Sequence, residues 1–328
     1  MNSFVWGADI SWYPQMREDG FVFRNEHGEA APLLDTLKDL GMNAIRLRTW
    51  VDPSNNRHSG RCGAQETLAM AQACQAAGFR IMIDFHYSDS WADPGQQRKP
   101  KAWEQLPFEA LTRQVYDYTR DTMELLVRGG VKVEWTQIGN EINPGMLLPD
   151  GSAEDFGKLS RLITAGHDAV KAVSPETITI VHLAEFNQTD FILRYLGELD
   201  KNGCRYDMPG FSYYPYHLPQ MTREECFKGY CRSMRELPET LNRDIMIVET
   251  GEISTDEQLT KQFLLEQLQV MAQQPRCRGL MLWEPEGAAC WSHYPLSAWR
   301  DDGTPSAALS AVRDYLADHP PCPSSVPC

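Results

Sequence analysis

Two glutamates carry the clearest chemistry in this chain of 328 residues. Glu141 follows an amide, Asn140, in the run "VEWTQIGNEINPGM" (133–146), and Glu249 stands in "IVETG" (247–251). Both come where an apolar, β-type run stops. Two carboxylates flanking a glycosidic bond are the least equipment that cleaves it. One protonates the leaving oxygen while the other attacks the anomeric carbon or activates water. A lone Glu after a strand is more often solvated or salt-bridged, but two at corresponding strand ends, one beside an Asn, favour chemistry. The competing reading is metal-assisted hydrolysis, for which Asp84 and His86 offer two ligands. Against it, no HxH stands on the first strand, and His182 is the less clear offering of the fifth.

The elements that must position these groups alternate along the chain. Strand candidates are 4–10, 43–48, 80–85, 131–139, 177–183, 208–214, 244–250 and 279–284. Helical patterns fill the gaps, among them 63–77, 106–128, 154–173, 218–237 and 255–274. Glycines in "DLGMN", "AAGFR" and "RGGVK" precede strands two to four, where a helix C-cap belongs. Eight βα units with strands apolar on both faces predict an α/β fold, a parallel (β/α)8 TIM barrel in a single domain. An open doubly wound sheet would call for a phosphate-cradling glycine loop, and none is present. The barrel is expected over 1–318, with an extended Pro- and Cys-containing tail over 319–328.

In such a barrel the active site lies at the C-terminal strand ends. Read in order, these carry Asp9, Arg46, Asp84 with His86, Asn140 with Glu141, Tyr213 or Tyr214, Glu249 and Trp283. The formal net charge of −14 disfavours nucleic acid and anionic membrane surfaces and suits a neutral substrate. No apolar run is long enough to span a membrane. The segment "MNSFVWGADI" does not read as a signal peptide, so either the protein is cytoplasmic or the sequence starts after a removed signal. Nine cysteines, an odd number, leave at least one thiol unpaired within the chain, and none falls in a zinc-ligand spacing.

"WTQIGNEINPGM", "DFHYSDSWADPGQQRKPKAW", "FSYYPYH" and "IVETG" together resemble glycoside hydrolase family 53, the endo-β-1,4-galactanases. "GADISW", "GMNAIRLRTWVDP" and "WEPEGAACW" fit the same pattern, so the resemblance runs from residue 6 to about residue 310. The loop "HYSDSWADPGQQ" is its most specific part. The resemblance implies a retaining barrel glycosidase, extracellular or periplasmic, acting on β-1,4-galactan. Glu141 would be the acid/base, Glu249 the nucleophile, and Asn140 the partner of the sugar 2-hydroxyl. No cofactor, no metal, no nucleic-acid partner and a monomer are expected. A mannanase or glucanase, or a barrel that binds carbohydrate without cutting it, are the alternatives.

A retaining pair should stand about 5–5.5 Å apart. Arg46 is expected to keep Glu249 ionised and a tyrosine, preferably Tyr214, to donate to it. Arg48, read as pointing the other way along its strand, is assigned to a structural ion pair. Glu141 needs a raised pKa to hold its proton. Trp283 is the preferred sugar platform, with Trp91 and Trp50 as further candidates, and core packing is an equal reading for Trp50. His86, Asp9 and Asp93 are expected to meet sugar hydroxyls, with loop anchoring as the second reading of Asp9. The segment departs from the family's "NGML" plus Trp at Pro144 and Leu148, which puts one stacking subsite in doubt.

Overall fold

The computed structural model describes residues 4–53 and 62–320. Eight strands form the barrel: β1 (Val5–Asp9), β2 (Ala44–Thr49), β3 (Arg80–Phe85), β4 (Val133–Ile138), β5 (Ile178–Leu183), β6 (Met208–Tyr213), β7 (Ile245–Thr250) and β8 (Cys277–Trp283). They hydrogen-bond in the order β1-β8-β7-β6-β5-β4-β3-β2 and close on themselves. Nearly every strand residue is buried, because a barrel strand is covered by side chains within and by helices outside. The parallel register sets Asp84 of β3 opposite Gln137 of β4, two polar residues that will matter below.

Each strand is followed by a helix: α1 (Leu33–Asp39), α2 (Ala64–Ala76), α3 (Phe108–Arg128), α4 (Phe156–Val173), α5 (Thr189–Lys201), α6 (Arg223–Leu241), α7 (Glu257–Met271) and α8 (Ala307–Asp318). The expected (β/α)8 barrel is the observed fold. Helix α3 shows why these segments are helical. Leu111, Val115, Thr119, Thr122, Met123 and Leu126 recur at three- and four-residue spacing and are its buried face. Its start is Pro107, and it stops at Gly129, followed by left-handed Gly130 (φ 81°), a conformation that costs glycine little. Helix α6 opens with a capping box in which Thr222 accepts from the Glu225 N–H and the Glu225 carboxylate accepts from the Thr222 N–H. Removing such a cap costs about 1 kcal/mol.

Contacts gather the chain into two compact units. One comprises Met1–Ile45, Glu185–Thr189 and Tyr213–Cys328; the other comprises Arg46–Ala184 and Asp190–Ser212. Glu249 belongs to the first and Glu141 to the second. Of the tail expected over 319–328, residues 321–328 lie outside the described residues, Cys322 and Cys328 among them. Cys74, Cys226, Cys231, Cys277 and Cys290 are thiols outside any disulfide. Among the described residues, no helix is long and apolar enough to cross a membrane.

Candidate active site

Around Glu141 the site is built from the ends of β2 to β6. Gly139, with φ 84°, turns the chain out of β4. A Cβ there would meet Ile142 Cγ2 at 2.6 Å, so only glycine fits. Glu141 then takes a left-handed conformation, φ 47°, which costs a non-glycine residue about 1–2 kcal/mol. Three contacts hold that backbone in place. The Glu141 N–H donates to His182 Nδ1 at 3.3 Å, and Gln97 Nε2 donates to the carbonyls of Asn140 (2.7 Å) and Glu141 (3.2 Å).

Asn140 is equally fixed. Its Nδ2 donates to the Ala92 carbonyl at 2.8 Å, and its Oδ1 accepts from Arg46 Nη2 at 2.8 Å. Arg46, fully buried, also donates to Asp84 (2.8 Å) and to Gln137 Oε1 (2.6 Å). Burial alone would raise the Asp84 pKa, but the charges of Arg46 and His86 hold it below its ordinary value. A guanidinium at this distance takes the place a cation would need beside Asp84, which disfavours the Asp84/His86 metal reading. Among the described residues no cluster of three His, Cys, Asp or Glu is placed to hold a metal ion.

Glu141 is partly buried, and the pKa of its carboxyl is raised to about 7. Burial of the charged form is the largest cause, opposed by a hydrogen bond from Ser212; the charge of Asp93 adds to the rise and that of Arg46 subtracts from it. A carboxyl so placed still carries its proton near neutral pH, as a general acid must.

The expectations for the surrounding residues change in several places. His86 has no ring nitrogen left for a sugar: Nε2 lies 2.9 Å from Asp84 Oδ2 and Nδ1 accepts from the Ala92 N–H at 3.1 Å. It pins the loop that carries Trp91 and Asp93. Asp93 uses both carboxylate oxygens within its own turn, on the Gly95 N–H (2.8 Å) and Gln96 Nε2 (2.9 Å), and its charge also acts on Glu141. Trp50 is fully buried, so it cannot stack on a sugar; it packs edge-on against Trp91 at 5.2 Å between ring centroids. Trp91 is partly exposed. Arg48 is not turned away from Arg46, since residues two apart on a strand share a face. Its guanidinium lies 4.4 Å from the Trp91 ring centroid, a cation–π contact that backs that ring.

Glu249 ends β7 and is buried, with 5% of its surface exposed. The hydroxyl of Tyr214, not Tyr213, donates to Glu249 Oε2 at 3.3 Å. Tyr213 is core, stacked on Phe263 with 5.6 Å between centroids. Trp283, at the end of β8, is partly exposed and braced edge-on by Trp12 (5.1 Å) and Tyr294 (4.8 Å). Asp9 is fully buried and accepts from the Ser11 hydroxyl (2.6 Å) and N–H (3.1 Å), so the loop-anchoring reading holds. Two buried carboxyls of "WEPEG" lie nearby: Glu284 accepts from the Trp12 N–H at 3.1 Å, which seats Trp12 against Trp283. Burial first, then the charge of Glu284, pushes the Glu286 carboxyl far above its ordinary value.

Sequence reasoning missed Ser212, Gln97, Gln137 and Glu286.

Comparison with known proteins agrees with this geometry. The model of glycosyl hydrolase family 53 matches residues 5–283. The chain is 30% identical over 329 residues to a probable arabinogalactan endo-β-1,4-galactanase A of Neosartorya fischeri, covering 90% of this chain and 89% of that one. It is 29% identical to the endo-β-1,4-galactanase of Bacillus subtilis, over 77% of this chain and 58% of the relative. Among solved structures, the family 53 catalytic domain of Ignisphaera aggregans superposes with a TM-score of 0.86 at 28% identity, covering 95% and 96% of the two chains. A fungal β-1,4-galactanase does so at 0.85 and 26%, covering 94% and 98%. A fold of eight βα units and a family match over most of the chain converge: the protein belongs to glycosyl hydrolase family 53.

Proposed function

We propose that the protein is a retaining endo-β-1,4-galactanase that cuts internal linkages of galactan side chains of pectin by double displacement. Glu141 protonates the leaving oxygen, and Glu249 attacks the anomeric carbon to form a glycosyl-enzyme. Glu141, now a carboxylate, takes a proton from the water that releases the sugar. The observation that carries this reading is the Glu141 carboxyl, raised to about 7 on a backbone held by His182 and Gln97. The Tyr214 hydroxyl steadies Glu249 in its ionised form, and Asn140, locked by Arg46 and Ala92, meets the 2-hydroxyl. Trp283 and Trp91 supply flat faces for sugar rings.

Galactan as the substrate is supported by what the named relatives act on. A polysaccharide does not cross a membrane unaided, so we place the enzyme's work outside the cytoplasm, as a monomer without a metal or cofactor in the reaction. Linear β-1,4-galactan, β-mannan and cellulose oligomers, incubated separately, test the reading. Rapid shortening of galactan alone, insensitive to a strong chelator, is expected. Cutting of mannan or cellulose instead would replace the substrate, and binding without cutting would make the protein a carbohydrate-binding barrel.

A further inference from the structure

We infer that Gln97, in the loop after β3, is a positioning residue for proton transfer: with His182 it clamps the two peptide groups flanking Glu141 and so aims the carboxyl at the leaving oxygen. The inference rests on Glu141 being the acid/base. Both side chains of the clamp are buried. They divide the work by chemistry. Gln97 takes the carbonyls, its Nε2 donating to Asn140 O at 2.7 Å and to Glu141 O at 3.2 Å. His182 takes the N–H groups. Its Nδ1 accepts from the Glu141 N–H at 3.3 Å, and its main-chain carbonyl accepts from the Ile142 N–H at 2.9 Å. N–H and C=O leave a trans peptide in opposite directions, so peptides 140–141 and 141–142 are each gripped at both edges. The Gln97 amide is oriented by its surroundings, since Asp93 O, at 3.2 Å, is a third carbonyl facing the same nitrogen. The His182 ring must likewise present a lone pair at Nδ1, because a backbone N–H can only donate. Gln137 Nε2, 2.9 Å away, is a second donor to it, while Asn140 Oδ1, at the same distance, already accepts from Arg46.

The backbone here needs such a clamp. Glu141 is left-handed, φ 47°, and follows a turn at Gly139, φ 84°. A left-handed glutamate is strained, and a glycine leaves the neighbouring peptide free to turn. Rotation of either flanking peptide swings the carboxyl, which hangs from the Cα between them. Asn140, by contrast, keeps its own ties to Ala92 O and Arg46 when Gln97 is lost, so its hold on the sugar survives. A misdirected acid costs rate only where the leaving oxygen needs a proton. That dependence separates aim from general stability.

Gln97→Met, which keeps length and removes the donor, tests this in the full chain beside Glu141→Gln. His182 also faces Gln137 and Ser212, so Gln97 is the cleaner probe. The substrates are aryl β-galactobiosides whose leaving groups run from dinitrophenol, which departs without a proton, to phenol, which needs one. In Gln97→Met, kcat/KM falls about 100-fold for the phenyl substrate and less than about 3-fold for the dinitrophenyl one. Azide needs no general base: it attacks the anomeric carbon of the glycosyl-enzyme, displaces the Glu249 carboxylate and restores turnover of the dinitrophenyl substrate. An equal fall across the series, or none, overturns the inference. If Glu141→Gln lacks the same split, Glu141 is not the acid, and the inference falls with that assignment. Amide exchange, followed by NMR, gives a readout independent of turnover. Exchange at Glu141 and Ile142 quickens in Gln97→Met while the barrel strands keep their wild-type protection. Wild-type rates at both positions overturn the clamp.

Discussion

Replacing Glu141 by Gln should make the protein more stable, and increasingly so as the pH rises. The folded carboxyl keeps its proton up to about 7, while its ordinary value is 4.5. Between those values the native state binds the extra proton, so stability falls as pH rises through the window, and the full deficit is present above it. At about 1.36 kcal/mol per pH unit, the deficit is ~1 kcal/mol at pH 5 and ~3 kcal/mol at pH 8. Glutamine has no charge to bury and escapes this cost. With an unfolding entropy of about 2.1 cal/mol/K per residue, the difference of ~2 kcal/mol corresponds to ~3 °C for a chain of this length. Scanning calorimetry of both proteins at pH 5 and pH 8 should show the variant's Tm advantage widening by about that amount. A gap that stays constant, or narrows towards pH 8, would refute the reasoning, because it would mean that Glu141 is not a carboxyl held against its charge.

Two further outcomes follow from the buried groups. Arg46→Met removes the guanidinium from Asp84 and Gln137 and leaves the buried Asp84 carboxylate with His86 and Gln137 Nε2 but no arginine charge, a loss of about 3–5 kcal/mol that urea unfolding at pH 7 would register. Because Asp84 titrates below its ordinary 3.8 in the fold, its stabilising share is present above that value and is lost as pH falls beneath it. Among the described thiols, the exposed Cys290 should alkylate first in the native protein. Cys74 and Cys277, pushed by burial to about 12, should stay unmodified until the protein unfolds, as peptide mapping after a brief iodoacetamide pulse would reveal.

The barrel was legible because each strand is an apolar run of five to seven residues closed by polar groups, and the observed ends lie close to those expected. The places of Glu141, Asn140 and Glu249 were legible for a related reason: the apolar runs before them end in polar side chains, and the structure sets Asn140 and Glu141 just after β4 and Glu249 at the end of β7. What sequence could not reveal was which polar atoms are already used. His86 and Asp93 read as free to meet a sugar, yet their partners are the Asp84 carboxylate, main-chain groups and a glutamine of the same loop. Gln97 was invisible, since it acts on the backbone of residues 43 and 44 positions away. Trp50 and Trp91 both follow strand ends, and only the path of the intervening loops buries one and leaves the other partly open. The misreading of Arg48 was avoidable, because the two-residue spacing from Arg46 already places both on one face.

The central claim is a double displacement in which Glu249 is the nucleophile. The most direct test is proton NMR of the anomeric signals during the first minutes of linear β-1,4-galactan cleavage, by the wild-type protein and by Glu249→Ala. New β-anomeric ends should appear first, turning into the α/β equilibrium only by slow mutarotation, and the variant should release none. Initial α-anomeric ends, or undiminished cleavage by Glu249→Ala, would contradict it.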